Sequence, residues 1–221
     1  MSKAKYICQL YGLIVLILPL NIVCSAANAE DMRLEGLLGW GHLDAKGSLT
    51  ADNVQYDLDG LGGGGVTAGA ALWKDFNYNL SLGIEYNYSI NSITGSTQNG
   101  TTTSNGQIDL SKNSLLFNAL WRRNSSDVHP FIGGGIGLSR INLETENTKT
   151  ETLPTNSTTT VKFSDTQTAP VFQGLAGFDY DIDDQFYWGI VARYEYVPVE
   201  LIDTDLRLRN MSISAKVGMK F

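Results

Sequence analysis

The sequence predicts an all-β chain, an eight-stranded antiparallel up-and-down barrel. Three observations point there: long segments of period-two alternation, connections that alternate short and long, and aromatic residues gathered toward both ends of the segments. Of 221 residues, 18% are charged and 43% hydrophobic, and mean hydropathy is −0.10. That balance excludes a disordered chain and a multi-span helical membrane protein. Glycine stands at 23 residues against 5 prolines, well above the usual share of roughly 7%, as a chain of many strands and close packings requires. A formal charge of −7 with no basic patch argues against capture of nucleic acid through its phosphates.

Residues 1–29 have the features of a cleaved signal-peptide helix. Lys3 and Lys5 form a positive start, an apolar run follows from Leu10, and Ala27-Asn28-Ala29 supplies the small-x-small cleavage pattern. The run is short for a membrane anchor and contains Pro19, and Val23 before Cys24 is not the small residue a lipoprotein signal wants. Residues 30–221 are then one domain. Cys8 and Cys24 both fall in the leader, so the exported chain has no thiol or disulfide chemistry. Loss of Lys3 and Lys5 from 16 basic residues leaves 14 against 23 acidic.

The strands follow in order. Segments 33–44 and 65–74 are glycine-rich, and their inside and outside faces stay open. Segment 80–90 puts Leu80, Leu82, Ile84, Tyr86, Tyr88 and Ile90 opposite Ser81, Gly83, Glu85, Asn87 and Ser89, a clean period of two. Segment 115–121 presents Leu115, Phe117, Ala119 and Trp121 after a polar stretch at 112–114, and segment 128–141 is again glycine-rich with its parity open. Segment 172–180 alternates Phe172, Gly174, Ala176, Phe178 and Tyr180 with Gln173, Leu175, Gly177 and Asp179. In segment 188–196, Trp188, Ile190, Ala192, Tyr194 and Tyr196 oppose Gly189, Val191, Arg193 and Glu195. The last, 210–221, sets Met211, Ile213, Ala215, Val217, Met219 and Phe221 against Asn210, Ser212, Ser214, Lys216, Gly218 and Lys220. Such lengths match the roughly 9–11 residues of a strand crossing a bilayer and exceed an ordinary sandwich strand.

Residues 74–79, 122–127 and 181–185 are short polar turns, whereas 45–64, 91–107, 142–168 and 198–208 are long Ser/Thr/Asn/Gly-rich connections expected as loops. Short turns on one side, long loops on the other, and an even strand count fit a closed barrel with no edge left facing lipid. One aromatic group (Trp73, Tyr78, Trp121, Phe131, Tyr180, Phe186, Tyr187, Trp188, Phe221) lies near the short turns. A second (Trp40, Tyr86, Tyr88, Tyr194, Tyr196) lies toward the long loops, and together they suggest two interfacial girdles.

The segments WKDFNYNLSLGIEYNYS, HPFIGGGIGLSRI, FQGLAGFDYDIDDQFYWGIVARYEYV and MSISAKVGMKF make the chain resemble the small eight-stranded outer-membrane β-barrels of the OmpA/OmpX-like superfamily, over nearly all of residues 30–221. The resemblance implies a bacterial outer-membrane location, contact with outer-membrane lipid and lipopolysaccharide, and delivery by the barrel assembly machinery. It also implies that the strand ending in Phe221 is the signal this machinery reads. It leaves activity open, because barrels of this size serve as adhesins, lipid-modifying enzymes, narrow channels and structural proteins. No cell-wall tether is expected, since no further domain follows Phe221.

Glu85, Arg193, Glu195 and Lys216 stand on the inward parity of segments 80–90, 188–196 and 210–221. An eight-stranded barrel is just wide enough for side chains to fill, and unpaired buried charge is costly, so these four are expected as a paired lumen network, with Arg193 meeting the neighbourhood of Glu195 and, across the ring, Glu85. His42 and His129 lack partners at metal or triad spacing, and residues 62–65 and 133–135, though glycine-rich, precede no helix that would make a phosphate loop. No catalytic residue, cofactor or metal site is expected. The function expected is a non-enzymatic surface barrel with a mainly plugged lumen, whose loops contact host or extracellular ligands. The alternatives are a narrow channel for small solutes and a lipid-modifying enzyme.

Overall fold

The computed structural model describes residues 31–46, 48–51, 54–57, 61–77, 79–99, 102–123, 127–151, 157–201 and 204–221. The expected signal peptide and its cleavage point lie outside these residues, as does Tyr78. The strands are β1 Met32–Lys46, β2 Ser48–Ala51, β3 Val54–Asp57, β4 Leu61–Asp75, β5 Leu80–Asn99, β6 Thr102–Arg122, β7 Val128–Glu151, β8 Ser157–Asp181, β9 Phe186–Leu201 and β10 Thr204–Lys220. Eight of them close an antiparallel barrel in the order β1-β10-β9-β8-β7-β6-β5-β4, and β2 and β3 form a separate hairpin. Closure comes from β1, which pairs with β10 (Arg33 opposite Lys220) on one edge and with β4 (Arg33 opposite Trp73) on the other. The Phe221 backbone extends that seam, with reciprocal hydrogen bonds to Met32 of 3.0 and 3.1 Å.

Short turns are set by local side chains. The Asn77 side-chain oxygen accepts from the amides of Asn79 and Leu80 at 3.0 and 2.8 Å, and Asp183 does the same for Gln185 and Phe186 at 2.8 and 2.7 Å. These are Asx turns, which reverse the chain without a regular hairpin loop.

The long connections differ from the loops expected of their composition. Segment 91–107 is mostly strand, with β5 and β6 paired as far as Asn99 opposite Thr102. Segment 142–168 likewise continues β7 and β8 to Glu151 opposite Ser157, and β9 and β10 pair as far as Leu201 opposite Thr204. Polarity without alternation by itself suggests loop. Once the barrel fixes the register below, however, an antiparallel ladder satisfies the backbone upward at no cost in apolar surface, and the Thr-rich stretches favour extended backbone.

The outward face is apolar, with Leu38 64%, Ile213 63% and Val217 65% exposed. So large a continuous apolar surface belongs against lipid. Parity corrects the aromatic belt: Trp73, Phe131 and Tyr187, placed by sequence at the short-turn girdle, are buried inside, while Trp121, Tyr180, Phe186 and Trp188 remain outward. Closeness to a turn says nothing about which face of a strand a residue occupies.

Candidate functional site

The glycine-rich strands whose parity sequence left open are resolved by their partners. On β1, Arg33, Glu35, Leu37 and Leu43 face inward; on β4, Thr67, Ala71 and Trp73; on β7, His129, Phe131, Ser139 and Ile141. The interior is layered. Leu37, Ala71, Trp73, Leu120, Phe131, Leu175 and Val191 form an apolar cluster in the half nearer the short turns. A second cluster, including Leu43, Leu110, Ile141, Leu143, Val171, Val197 and Leu208, occupies the half nearer the long hairpins.

Two groups of charge are set among these layers. In the lower one Lys216 Nζ is shared between Glu35 Oε1 at 2.9 Å and Asp179 Oδ1 at 2.8 Å. The Tyr187 hydroxyl donates to Glu35 Oε1 at 2.7 Å, and Arg122 Nη2 lies 3.3 Å from Asp179 Oδ2. Arg33 approaches both carboxylates at 3.6 Å and donates through Nη2 to Asp75 Oδ1 and Ser81 Oγ, each at 3.0 Å. The Lys216 ammonium also sits 4.3 Å from the centre of the Phe131 ring, within cation–π range. Two glycines make this packing possible: a Cβ at Gly189 would lie 2.6 Å from Asp179 Oδ1, and one at Gly218 would collide with the Tyr187 ring.

The upper group consists of two pairs with polar support. Arg193 Nε lies 3.3 Å from Glu85 Oε1 in ion-pair contact, and Arg193 Nη1 donates to Ser214 Oγ at 3.2 Å. The other Glu85 oxygen accepts from Asn118 Nδ2 at 3.0 Å, and Gln173 Nε2 donates to Asn118 Oδ1 at 3.1 Å. Glu195 pairs with Lys112 and accepts from Asn210 Nδ2 at 2.9 Å. Low exposure makes each group dependent on its partners, since a charge away from water is tolerable only when paired and hydrogen-bonded.

Of the four residues singled out by sequence, the structure brings Glu85 and Arg193 together, places Lys216 in the lower group, and gives Glu195 to Lys112 rather than to Arg193. Sequence reasoning missed Arg33, Glu35, Lys112, Arg122, Asp179 and Tyr187. Asp179 already stood on the inward parity of its segment, and Arg122 lies on the inward parity of 115–121 continued by one residue. Among the described residues, buried Arg33, Lys112, Arg122, Arg193 and Lys216 face buried Glu35, Glu85, Asp179 and Glu195 together with half-buried Asp75. Charge inside the barrel is therefore balanced.

The histidines stand apart from both groups. His42 Nε2 lies 3.2 Å from Asp44 on the outer wall, and His129 Nε2 lies 3.0 Å from Asp181 at the rim, where Lys220 Nζ also contacts Asp181 at 2.6 Å. Among the described residues no cluster of three or more His, Cys, Asp or Glu is arranged to hold a metal ion.

Comparison with known proteins adds a family. A family model described as "Outer membrane protein beta-barrel domain" matches residues 13–221. Neisserial surface protein A (NspA) is similar in structure, with 15% identity, 87% of this chain and 98% of that chain covered, and a TM-score of 0.54. Ail, the attachment invasion locus protein of Yersinia pestis, shares 14% identity over 85% of this chain and 99% of its own at a TM-score of 0.39. The outer membrane protease OmpT of Escherichia coli shares 10% identity over 88% of this chain and 98% of its own at a TM-score of 0.35. At such identities the likeness to NspA is one of fold. No curated protein matches the sequence.

Proposed function

The chain belongs to the outer membrane protein beta-barrel domain family and resides in the bacterial outer membrane, and from that premise we propose that it is a non-enzymatic scaffold with a plugged lumen, presenting its hairpins for surface contact. One observation carries the reading: balanced, mutually paired charges and two apolar clusters occupy the interior from the short turns to the hairpins. An interior so occupied leaves the outer ends of β5 to β8 as the parts free to meet a ligand, and binding segments are commonly carried on a rigid base in this way. Further elements of the proposal are contact with lipopolysaccharide around the wall, and the terminal Phe221 as the residue read by the barrel assembly machinery.

The test is to shorten the outer parts of β5–β6 and β7–β8 to tight turns in whole bacteria. Adhesion to host-cell or matrix surfaces should fall while the protein keeps its unheated gel mobility. Full adhesion by the trimmed barrel would contradict the proposal.

A further inference from the structure

Strands β5 to β8 rise above the rest of the barrel. β8 pairs with β9 only as far as Phe172 opposite Tyr196, and the same register carried up to the end of β9 sets Leu201 level with Gln167. Beyond that level β8 keeps its pairing with β7, to Ser157 opposite Glu151, but among the described residues no strand accompanies its other side. Residues 157–166 therefore hold one row of backbone N–H and C=O groups open to a further strand. Their sequence, STTTVKFSDT, is rich in β-branched residues and carries no proline and only two charges, Lys162 and Asp165, so little guards this edge.

Strand sense selects the partner. Every copy inserted in one bilayer has β8 running down toward the same short turn, so two such edges in one membrane could meet only parallel. The more stable antiparallel ladder joins copies that face each other from two membranes. That pair is isologous, with a two-fold axis normal to the sheet and the residue on the axis opposite itself. Three conditions fix its register. Opposed residues must share a face of the sheet and hence a parity, the partner strand must stop short of Gln167, where β9 stands alongside, and Lys162 must not oppose Lys162. The longest register that meets all three centres on Val161 and sets residues 157–165 against the same residues of the second copy. Lys162 then falls opposite Thr160 and Asp165 opposite Ser157, so no like charges meet.

We propose that the free edge of β8 pairs with its own copy on a facing membrane, so that the protein joins one outer membrane to another. The inference rests on the surface-contact role proposed above and names a second copy of this chain as the partner. One such ladder is short, but many copies on two facing membranes act together.

The experiment reconstitutes protein purified from outer membranes into phosphatidylcholine vesicles and follows their clustering by light scattering. Wild-type vesicles should cluster with no other protein present. Val161→Lys and Val161→Glu, which set like charges against each other on the axis, should each lower clustering about ten-fold, the effect of about 1.4 kcal/mol, and mixing the two kinds of vesicle should restore it. Residues 30–221 contain no cysteine, so Val161→Cys reads the register. Opposed backbones about 4.5–5.5 Å apart lie within disulfide reach, and mild oxidation should give a cross-linked pair of barrels, whereas Thr168→Cys, far from the axis, should give none. Unheated gel mobility confirms that each variant is folded. Unclustered wild-type vesicles, clustering unchanged in both charge variants, no recovery on mixing, a cross-link at 168 in place of 161, or clustering only after a host protein is added would each overturn the proposal. Host adhesion lost on trimming, with vesicles that do not cluster, would end this pairing and leave the surface-contact role standing. Full adhesion by the trimmed barrel, with clustering intact, would end the host-contact reading alone.

Discussion

The two charged groups inside the barrel solve one problem differently. In the lower group a single ammonium, that of Lys216, serves two carboxylates, Glu35 and Asp179, with Arg33, Arg122 and Tyr187 closing around them. In the upper group each carboxylate has its own cation, Arg193 for Glu85 and Lys112 for Glu195, and neutral amides fill the remaining positions. The difference teaches where the interior is fragile. A shared partner couples its neighbours, so removing it weakens several groups at once, whereas removing one member of a separate pair stays local.

The largest effect is therefore expected from Lys216→Met, which takes the nearest cation from two carboxylates at once and leaves Glu35 to Arg33 and Tyr187 and Asp179 to Arg33 and Arg122. Its cost should lie near the upper end of the 3–5 kcal/mol typical of a broken buried pair, read as a fall in the urea midpoint of unfolding in detergent. Adding Glu35→Gln should recover part of the loss. Arg193→Ala should cost about 3 kcal/mol, because Glu85 keeps Asn118, and it should be nearly additive with Lys216→Met in the same assay. Strong non-additivity would erase the distinction between the groups. Tyr187→Phe removes one hydrogen bond to the Glu35 carboxylate and should cost about 2 kcal/mol with no change in gel mobility.

The smallest effect on stability is expected at the seam. Phe221→Ala, which removes a half-exposed ring and keeps the backbone bonds to Met32, should change the urea midpoint by about 1 kcal/mol or less while sharply lowering outer-membrane levels in cells. Equal loss in both assays would make it a stability residue, and equal preservation would end its proposed role in assembly.

What the sequence made legible follows the same division. Strands of clean alternation, such as residues 80–90 and 210–221, declared their faces, so Glu85 and Lys216 could be assigned to the interior from parity alone. Arg33 and Glu35 escaped notice because Gly36, Gly39 and Gly41 interrupt the period of β1, and only its partners β10 and β4 decide which side faces in. Lys112 was hidden in a polar run, where no apolar neighbour marks a face. The hairpin extensions were illegible for a different reason: their pairing follows from the register of the strands beneath, a non-local property that composition does not carry.

The central claim is that these side chains plug the lumen, and single-channel recording of the refolded wild-type protein in a planar bilayer tests it most directly. The account predicts a flat record at the level of the bare membrane, with discrete steps emerging only in Arg193→Ala or Lys216→Met. A steady, reproducible conductance from the wild-type barrel would contradict it.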